Sequence, residues 1–236
     1  MSDDLAYVLL PGLDGTGDLF GPFVEATHRS SLCRIVRYPR NVVLGRERLG
    51  DCVAEAIPTG RYVLIAESYS GLVGLLFAQR AGANLAALVL CNSFVTPPVW
   101  PGWRYAPLSV LLRWRPPRFV VSRLLLDKAT PNDFVEQMRD AVTSVAPAVL
   151  AARVREILQT DAKDELASCP APVLYLRGNR DRLVPNSAVH QVRRVRPDLT
   201  YQELPGPHLL LQCNPAGAAL AIDSFVDALG GNNRRG

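Results

Sequence analysis

Nucleophilic chemistry at a carbonyl needs a hydroxyl or thiol, a base to take its proton and an acid to hold that base. The run YVLIAESYSGLVGLLFAQ offers the first of these at Ser68. An apolar strand pattern leads straight into Ser68, and a helix pattern starts within two residues. A turn that sharp forces the serine into a strained backbone conformation and leaves its hydroxyl at the strand tip. Crowding there demands small neighbours, here Ala66 and Ser70, while Gly71 and Gly74 ease the packing of helix on strand. Both glycines of G-x-S-x-G are thus replaced by other small residues, and as a bare string the pattern occurs by chance in many chains. The flanking strand and helix give it content. The competing reading is a serine that caps the helix starting at Ser70.

The base is found by elimination among three histidines. His28 ends a helical pattern before the second strand, and His190 sits in the middle of SAVHQVRRV as a surface residue. His208 lies in ELPGPHLLLQCNP, after the last strand and before the last helix, where an imidazole can reach a hydroxyl at a strand tip. The acid is read from VLYLRGNRDRLVP, in which Asp181 follows the fifth strand by four residues. A carboxylate there bonds the imidazole and fixes its tautomer. The alternatives are an Asp181 paired with Arg180 or Arg182 or turned into an Asx-turn, and Asp164 or Asp198 as the acid. The chain order Ser, Asp, His is the one expected on an α/β sheet.

The fourth element is LLPGLDGTGDLF after the first strand. Its glycines let backbone amides turn inward, and the amides of Leu13 and Tyr69 are assigned to an oxyanion hole. A dinucleotide loop is the rival, but the third glycine of G-x-G-x-x-G is Phe20 and no acidic residue ends strand two. Asp14 and Thr16 have a plainer reading as caps of the next helix. No cofactor or metal is expected.

These residues need a frame. Continuous apolar runs at 7–10, 34–38, 62–66, 87–91, 173–177 and 201–204 suit strands buried on both faces of a parallel sheet. Amphipathic stretches at 19–28, 46–57, 71–80, 187–195 and 215–229 alternate with them. The expected fold is α/β: an open, mainly parallel sheet of about six strands in the order 2-1-3-4-5-6, flanked by helices. The order reverses beside strand one, which puts a ligand crevice at the carboxyl ends of strands one and three. Residues 93–168 break the rhythm. Helical runs at 118–126, 132–145 and 148–159 mark them as a helical cap inserted after strand four. The expected division is a core of 1–92 and 169–230, a cap of 93–168 and a polar tail of 231–236.

Composition narrows the function classes. With 236 residues, 48% of them hydrophobic, the chain can bury one core, and a net charge of +4 is too mild to argue for nucleic acid. Five scattered cysteines (Cys33, Cys52, Cys91, Cys169, Cys213) without CxxC spacing read as reduced thiols in a cytoplasmic protein. No apolar run is long enough to span a membrane, and the start MSDDLAYVLLPG lacks the form of a secretory signal.

Taken together, the serine turn, the acid loop, the histidine loop and the glycine-rich loop resemble the α/β-hydrolase superfamily over most of the chain. The run REILQTDAKDELASCPAPVLYLRGNRDRLVP is similar to the cap-exit and acid-loop region of bacterial carboxylesterases of the pimeloyl-carrier-protein methyl ester esterase type. The resemblance implies Ser68, Asp181 and His208 as a triad, with Leu13 and Tyr69 as oxyanion donors. The chain departs from the superfamily in two places: Pro11-Gly12 stands where His-Gly is usual, and the customary first hairpin has no counterpart. PGLDGTG is also similar to a loop of plant plastid acyltransferases of this superfamily.

Specificity is expected from the cap. Trp100, Trp103 and Trp114 all fall in its first part, and residues 104–128 hold six cationic side chains against Asp127 alone. An apolar roof with a cationic rim suits an acyl chain on an anionic carrier, such as an acyl carrier protein. The plainer reading is a solvated basic face over a packed aromatic cluster. Phe94 and Trp100 are expected to line the acyl pocket. The expected activity is carboxylic ester hydrolysis on a small-molecule acyl ester through an acyl-enzyme on Ser68. The alternative is a thioesterase or acyltransferase on carrier-bound chains, and a binding protein on the same scaffold is a third reading.

Overall fold

The computed structural model describes residues 5–99, 106, 110, 112–127 and 130–232. Six strands form one sheet: β1 (Ala6–Leu10), β2 (Cys33–Ile35), β3 (Tyr62–Glu67), β4 (Leu85–Cys91), β5 (Val173–Gly178) and β6 (Thr200–Leu204). Their order is β2-β1-β3-β4-β5-β6 and every pairing is parallel, as the sequence predicts. Every residue of β1, β3, β4 and β5 is buried, which is why these strands read as unbroken apolar runs.

Alternation survives in which face each residue serves. Val8, Leu10, Leu64, Ala66, Leu88 and Leu90 point into one core layer, while Tyr7, Leu9, Val63, Ile65, Ala87 and Val89 point into the other. The first layer is covered by α2 (Arg46–Ala56), α3 (Ser70–Ala78) and a later helix, α8 (Asn186–Val195). The second is covered by α1 (Gly21–Ala26) and by α10 (Pro215–Asn232). Across the second layer the Tyr7 hydroxyl donates to Asp223 at 2.6 Å, tying β1 to α10.

Among the described residues four helices lie between β4 and β5: α4 (Arg118–Leu124), α5 (Asn132–Thr143), α6 (Pro147–Gln159) and α7 (Lys163–Ala167). After β6 come the short α9 (Leu210–Cys213) and then α10.

Two boundaries differ from expectation for local reasons. β2 ends at Ile35 rather than 38, because after a last bond from the Val36 amide to the Leu9 carbonyl the chain leaves β1 and the Tyr38 amide donates to the Gly15 carbonyl at 2.8 Å. α1 begins only at Gly21, since Leu19 and Phe20 are drawn into the core and Pro22 sets the first turn.

Candidate active site

Ser68 stands just past β3 with φ +51°, a left-handed conformation that a serine adopts only under constraint. The turn is held from both ends. The Ser68 amide donates to Cys91 at 2.9 Å, and its carbonyl accepts from the Gly71 amide and from the Ser93 hydroxyl at 2.8 Å. Gly71 has no substitute, because a Cβ there would lie 1.8 Å from Ser93 Oγ. Ser68 is therefore not a helix cap; α3 starts at Ser70 with no side-chain cap bond.

The three side chains nominated from sequence converge. His208 Nε2 is 2.9 Å from Ser68 Oγ, and His208 Nδ1 is 2.9 Å from Asp181 Oδ2. Asp181 Oδ1 accepts from the amides of Leu183 (2.8 Å) and Val184 (3.1 Å), so its carboxylate is oriented by its own loop. Its arginine neighbours are engaged elsewhere: Arg180 pairs with Asp127 and Arg182 donates to the Arg123 carbonyl. His28 pairs with Asp223 beyond the core, and His190 is exposed on α8.

Asn92 escaped the sequence reading, although it organises the whole rim. It is the other non-glycine residue at positive φ (+45°) among the described residues. Its amide nitrogen donates to the carbonyls of Pro207 and His208, and its oxygen accepts from the Gly178 amide at 2.8 Å. One side chain at the end of β4 thus pins the histidine loop and the end of β5. A turn-former after an apolar run was the only signal, and it has too many ordinary uses to single out. Gly178 is needed for the same crossing, since a Cβ there would come within 2.4 Å of the Pro207 carbonyl oxygen.

The glycine-rich loop folds beside the serine. Gly12, Leu13 and Asp14 share a cavity wall with Ser68 and His208. Neither the Leu13 nor the Tyr69 amide has an acceptor among the described residues, so both are available to a ligand. Asp14 accepts from the Thr16 amide and hydroxyl within the loop and caps no helix. Arg153 of α6, 2% exposed, clamps the loop from outside: one guanidinium nitrogen reaches the carbonyls of Leu13 (2.9 Å) and Asp14 (2.8 Å), and the other reaches Pro39. Its guanidinium also lies 5.4 Å over the Tyr38 ring, and burial pulls its pKa down. From inside, the Ser70 hydroxyl donates to the Pro11 carbonyl and accepts from Tyr38. Ser70, in place of the usual glycine, so adds a tie between the two loops.

Glu67, directly before Ser68, is buried, and burial pushes its carboxyl up to about 7 against the pull of His208 and of a hydrogen bond from Gln212.

Above Ser68 and His208 lies a cavity of about 350 Å³. Phe94 lines it, and the roof is aliphatic: Val121, Leu124, Met138, Val142 and Val154 come from α4, α5 and α6. Trp114 is 78% exposed and packs into no aromatic cluster among the described residues. Trp100, Trp103, Arg104, Lys128 and the 233–236 tail lie outside the described residues. No group of side chains able to hold a metal ion occurs among the described residues, nor does a helix long and apolar enough to cross a membrane.

Comparison with known proteins agrees with this fold. A thermophilic esterase from Thermogutta terrifontis superposes with a TM-score of 0.77 at 22% identity, over 95% of this chain and 90% of that one. The enol-lactonase of Burkholderia xenovorans LB400 gives 0.72 at 17% identity, over 94% and 92%. A proline iminopeptidase from Mycobacterium smegmatis gives 0.70 at 18% identity, over 97% and 91%. At such identities these likenesses speak to the fold alone. A search of curated proteins returned no match. Residues 7–219, nearly the whole described chain, match the alpha/beta hydrolase family, and the protein belongs to it.

Proposed function

We propose that this protein is a carboxylic ester hydrolase working through an acyl-enzyme on Ser68. The observation that carries the reading is the 2.9 Å approach of His208 Nε2 to the hydroxyl of a serine held at positive φ, with Asp181 on the other ring nitrogen. Ser68 Oγ attacks the acyl carbonyl while its proton passes to His208 Nε2. Asp181 keeps the remaining N–H on Nδ1 and stabilises the imidazolium without taking a proton itself. The amides of Leu13 and Tyr69 receive the oxyanion. Collapse of the tetrahedral species expels the alcohol, which takes the proton from His208. Water then enters, gives a proton to His208 and attacks the acyl carbonyl, and the carboxylic acid leaves as Ser68 regains its proton.

Helices α4 to α6 act in this reading as a cap whose aliphatic roof selects the acyl chain, with Phe94 in its wall. The test is labelling by a fluorophosphonate together with turnover of p-nitrophenyl esters. Wild type is labelled on Ser68, and Ser68→Ala loses labelling and about 10⁴-fold in turnover. A serine that does not react makes the chain a binding protein instead.

One observation favours a second reading of the leaving group. Phe119, Arg123, Asp127, Arg180 and Arg182 line a groove on the outside of α4, the helix whose other side roofs the cavity; Asp127 pairs with Arg180, which leaves Arg123 and Arg182 as the excess positive charge. A cationic groove there suits an acyl chain delivered on an anionic acyl carrier protein, as thioester hydrolysis or transfer would use. Turnover of acyl carrier protein thioesters that exceeds turnover of the matching simple esters, and falls with salt, selects that reading.

A further inference from the structure

Glu67 is a buried titratable group that these steps leave unused. It is 3% exposed, and only one of its oxygens is satisfied: Oε2 accepts from Gln212 Nε2 at 3.1 Å, while Oε1 has no partner among the described residues. Gln212 sits in α9, four residues beyond His208, and its own Oε1 is equally unpartnered. On the other side the carboxyl rests against Gly12 of the loop that carries Leu13; a Cβ on Gly12 would lie 3.8 Å from Glu67 Oε2. One side chain therefore bonds the helix that follows His208 and faces the loop that carries Leu13. The groups facing it are the His208 imidazole, the Asp14 carboxyl, and the thiols of Cys91 and Cys213. His208 is the one base among these groups. A filler at this place would be an amide or an apolar side chain, since a half-satisfied carboxylate in a dry site is costly. The cost is offset only when a positive charge appears nearby, and in the proposed hydrolysis that charge appears on His208.

We infer that Glu67 is a positioning residue whose carboxylate, together with Asp181, stabilises the imidazolium formed when His208 takes the Ser68 proton. The inference rests on the hydrolase reading. Glu67 makes no hydrogen bond to the ring, both of whose nitrogens are engaged, so it acts through space. Its contribution requires the ionised form, and burial holds that ionisation near neutrality. Turnover should therefore climb as Glu67 ionises, in addition to the deprotonation that general-base catalysis itself requires.

The experiment is the pH dependence of kcat/KM on a short p-nitrophenyl ester, from about pH 5 to 9, for wild type, Glu67→Gln and Gln212→Met. In wild type the acid limb is steeper than a single ionisation allows. Glu67→Gln reduces that limb to one ionisation and lowers the plateau of kcat about tenfold, with KM nearly unchanged. Gln212→Met removes the hydrogen bond from Gln212 Nε2 to the carboxylate and moves the acid limb to higher pH. Should Glu67→Gln fold poorly, the shift in Gln212→Met decides alone. An active, fluorophosphonate-labelled wild type whose profile neither variant moves overturns the inference and leaves the hydrolase reading standing. A wild type that neither turns over esters nor takes the label sinks both.

Discussion

At the carboxyl end of the sheet, Ser68, Asp181 and His208 hang on loops tied by backbone and buried side-chain bonds: Asn92 to the histidine loop, Ser93 to the serine turn, Arg153 to the glycine-rich loop. The segment between β4 and β5 is held differently. Its inner faces meet through aliphatic contacts around Leu126, Val135, Met138 and Val149, and its outer face carries arginine–carboxylate pairs. Glu136 alone meets Arg115, Arg118 and Arg139, whose charges hold its carboxyl below the usual range. Directional bonds fix atoms to within tenths of an ångström, which proton transfer needs; aliphatic packing fixes only shape, which is what selection of an acyl chain needs.

That contrast predicts a gradient of effects. At its head is the Ser68→Ala loss already described. Next comes Asn92→Ala, which frees three backbone groups at once. Unfolding in denaturant should show a loss of about 3 kcal/mol. Turnover should fall about 100-fold as His208 drifts. Near-normal kcat in Asn92→Ala would mean the loops hold themselves.

Arg153→Met should cost about 2–4 kcal/mol, because the carbonyls of Leu13, Asp14 and Pro39 lose their donor. Arg118→Gln, a change of comparable chemistry on the exposed network, should cost less than about 1 kcal/mol. Equal losses from the two would erase the distinction drawn here.

The charge on Glu67 gives a test of stability as well as of rate. Its folded pKa, about 7, lies above the ordinary carboxyl value of 4.5, so the folded state holds the proton more tightly. The stability this contributes is complete below about pH 4.5 and disappears as pH rises through 7. Glu67→Gln should therefore melt higher than wild type at pH 8, by on the order of 1–3 kcal/mol, and gain little at pH 5. An equal gain at both values would show that the carboxylate bears no desolvation cost.

The smallest effect on stability belongs to the roof. Val142→Trp should shorten the preferred acyl chain, each lost methylene contact being worth about 0.8 kcal/mol in kcat/KM, while short esters turn over normally. Acyl preference unchanged by this variant would place the chain elsewhere.

Much of the fold was legible because buried strands leave a strong local mark. Runs such as YVLIA and LVLC have to be covered on both faces, and helices between them leave few topologies open. Ser68 could be read for the same reason, since a strand that meets a helix with no intervening loop is a local event. His208 could be read because the alternatives were few. The aliphatic roof was not legible: the sequence drew attention to tryptophans, whereas which of many leucines and valines face Ser68 depends on how α4, α5 and α6 pack. Asn92, Arg153 and the Glu67–Gln212 pair were hidden because their partners lie far away in the chain.

The order of strands, the parallel sheet and the candidacy of Ser68, Asp181 and His208 follow from the sequence, since each is written in neighbouring residues through periodicity and turn chemistry. The tertiary structure alone decided which polar groups meet, how the loops are pinned and what shape the pocket takes. Those depend on distances between segments remote in the chain, set by the packing of the whole molecule and encoded in no single stretch of it.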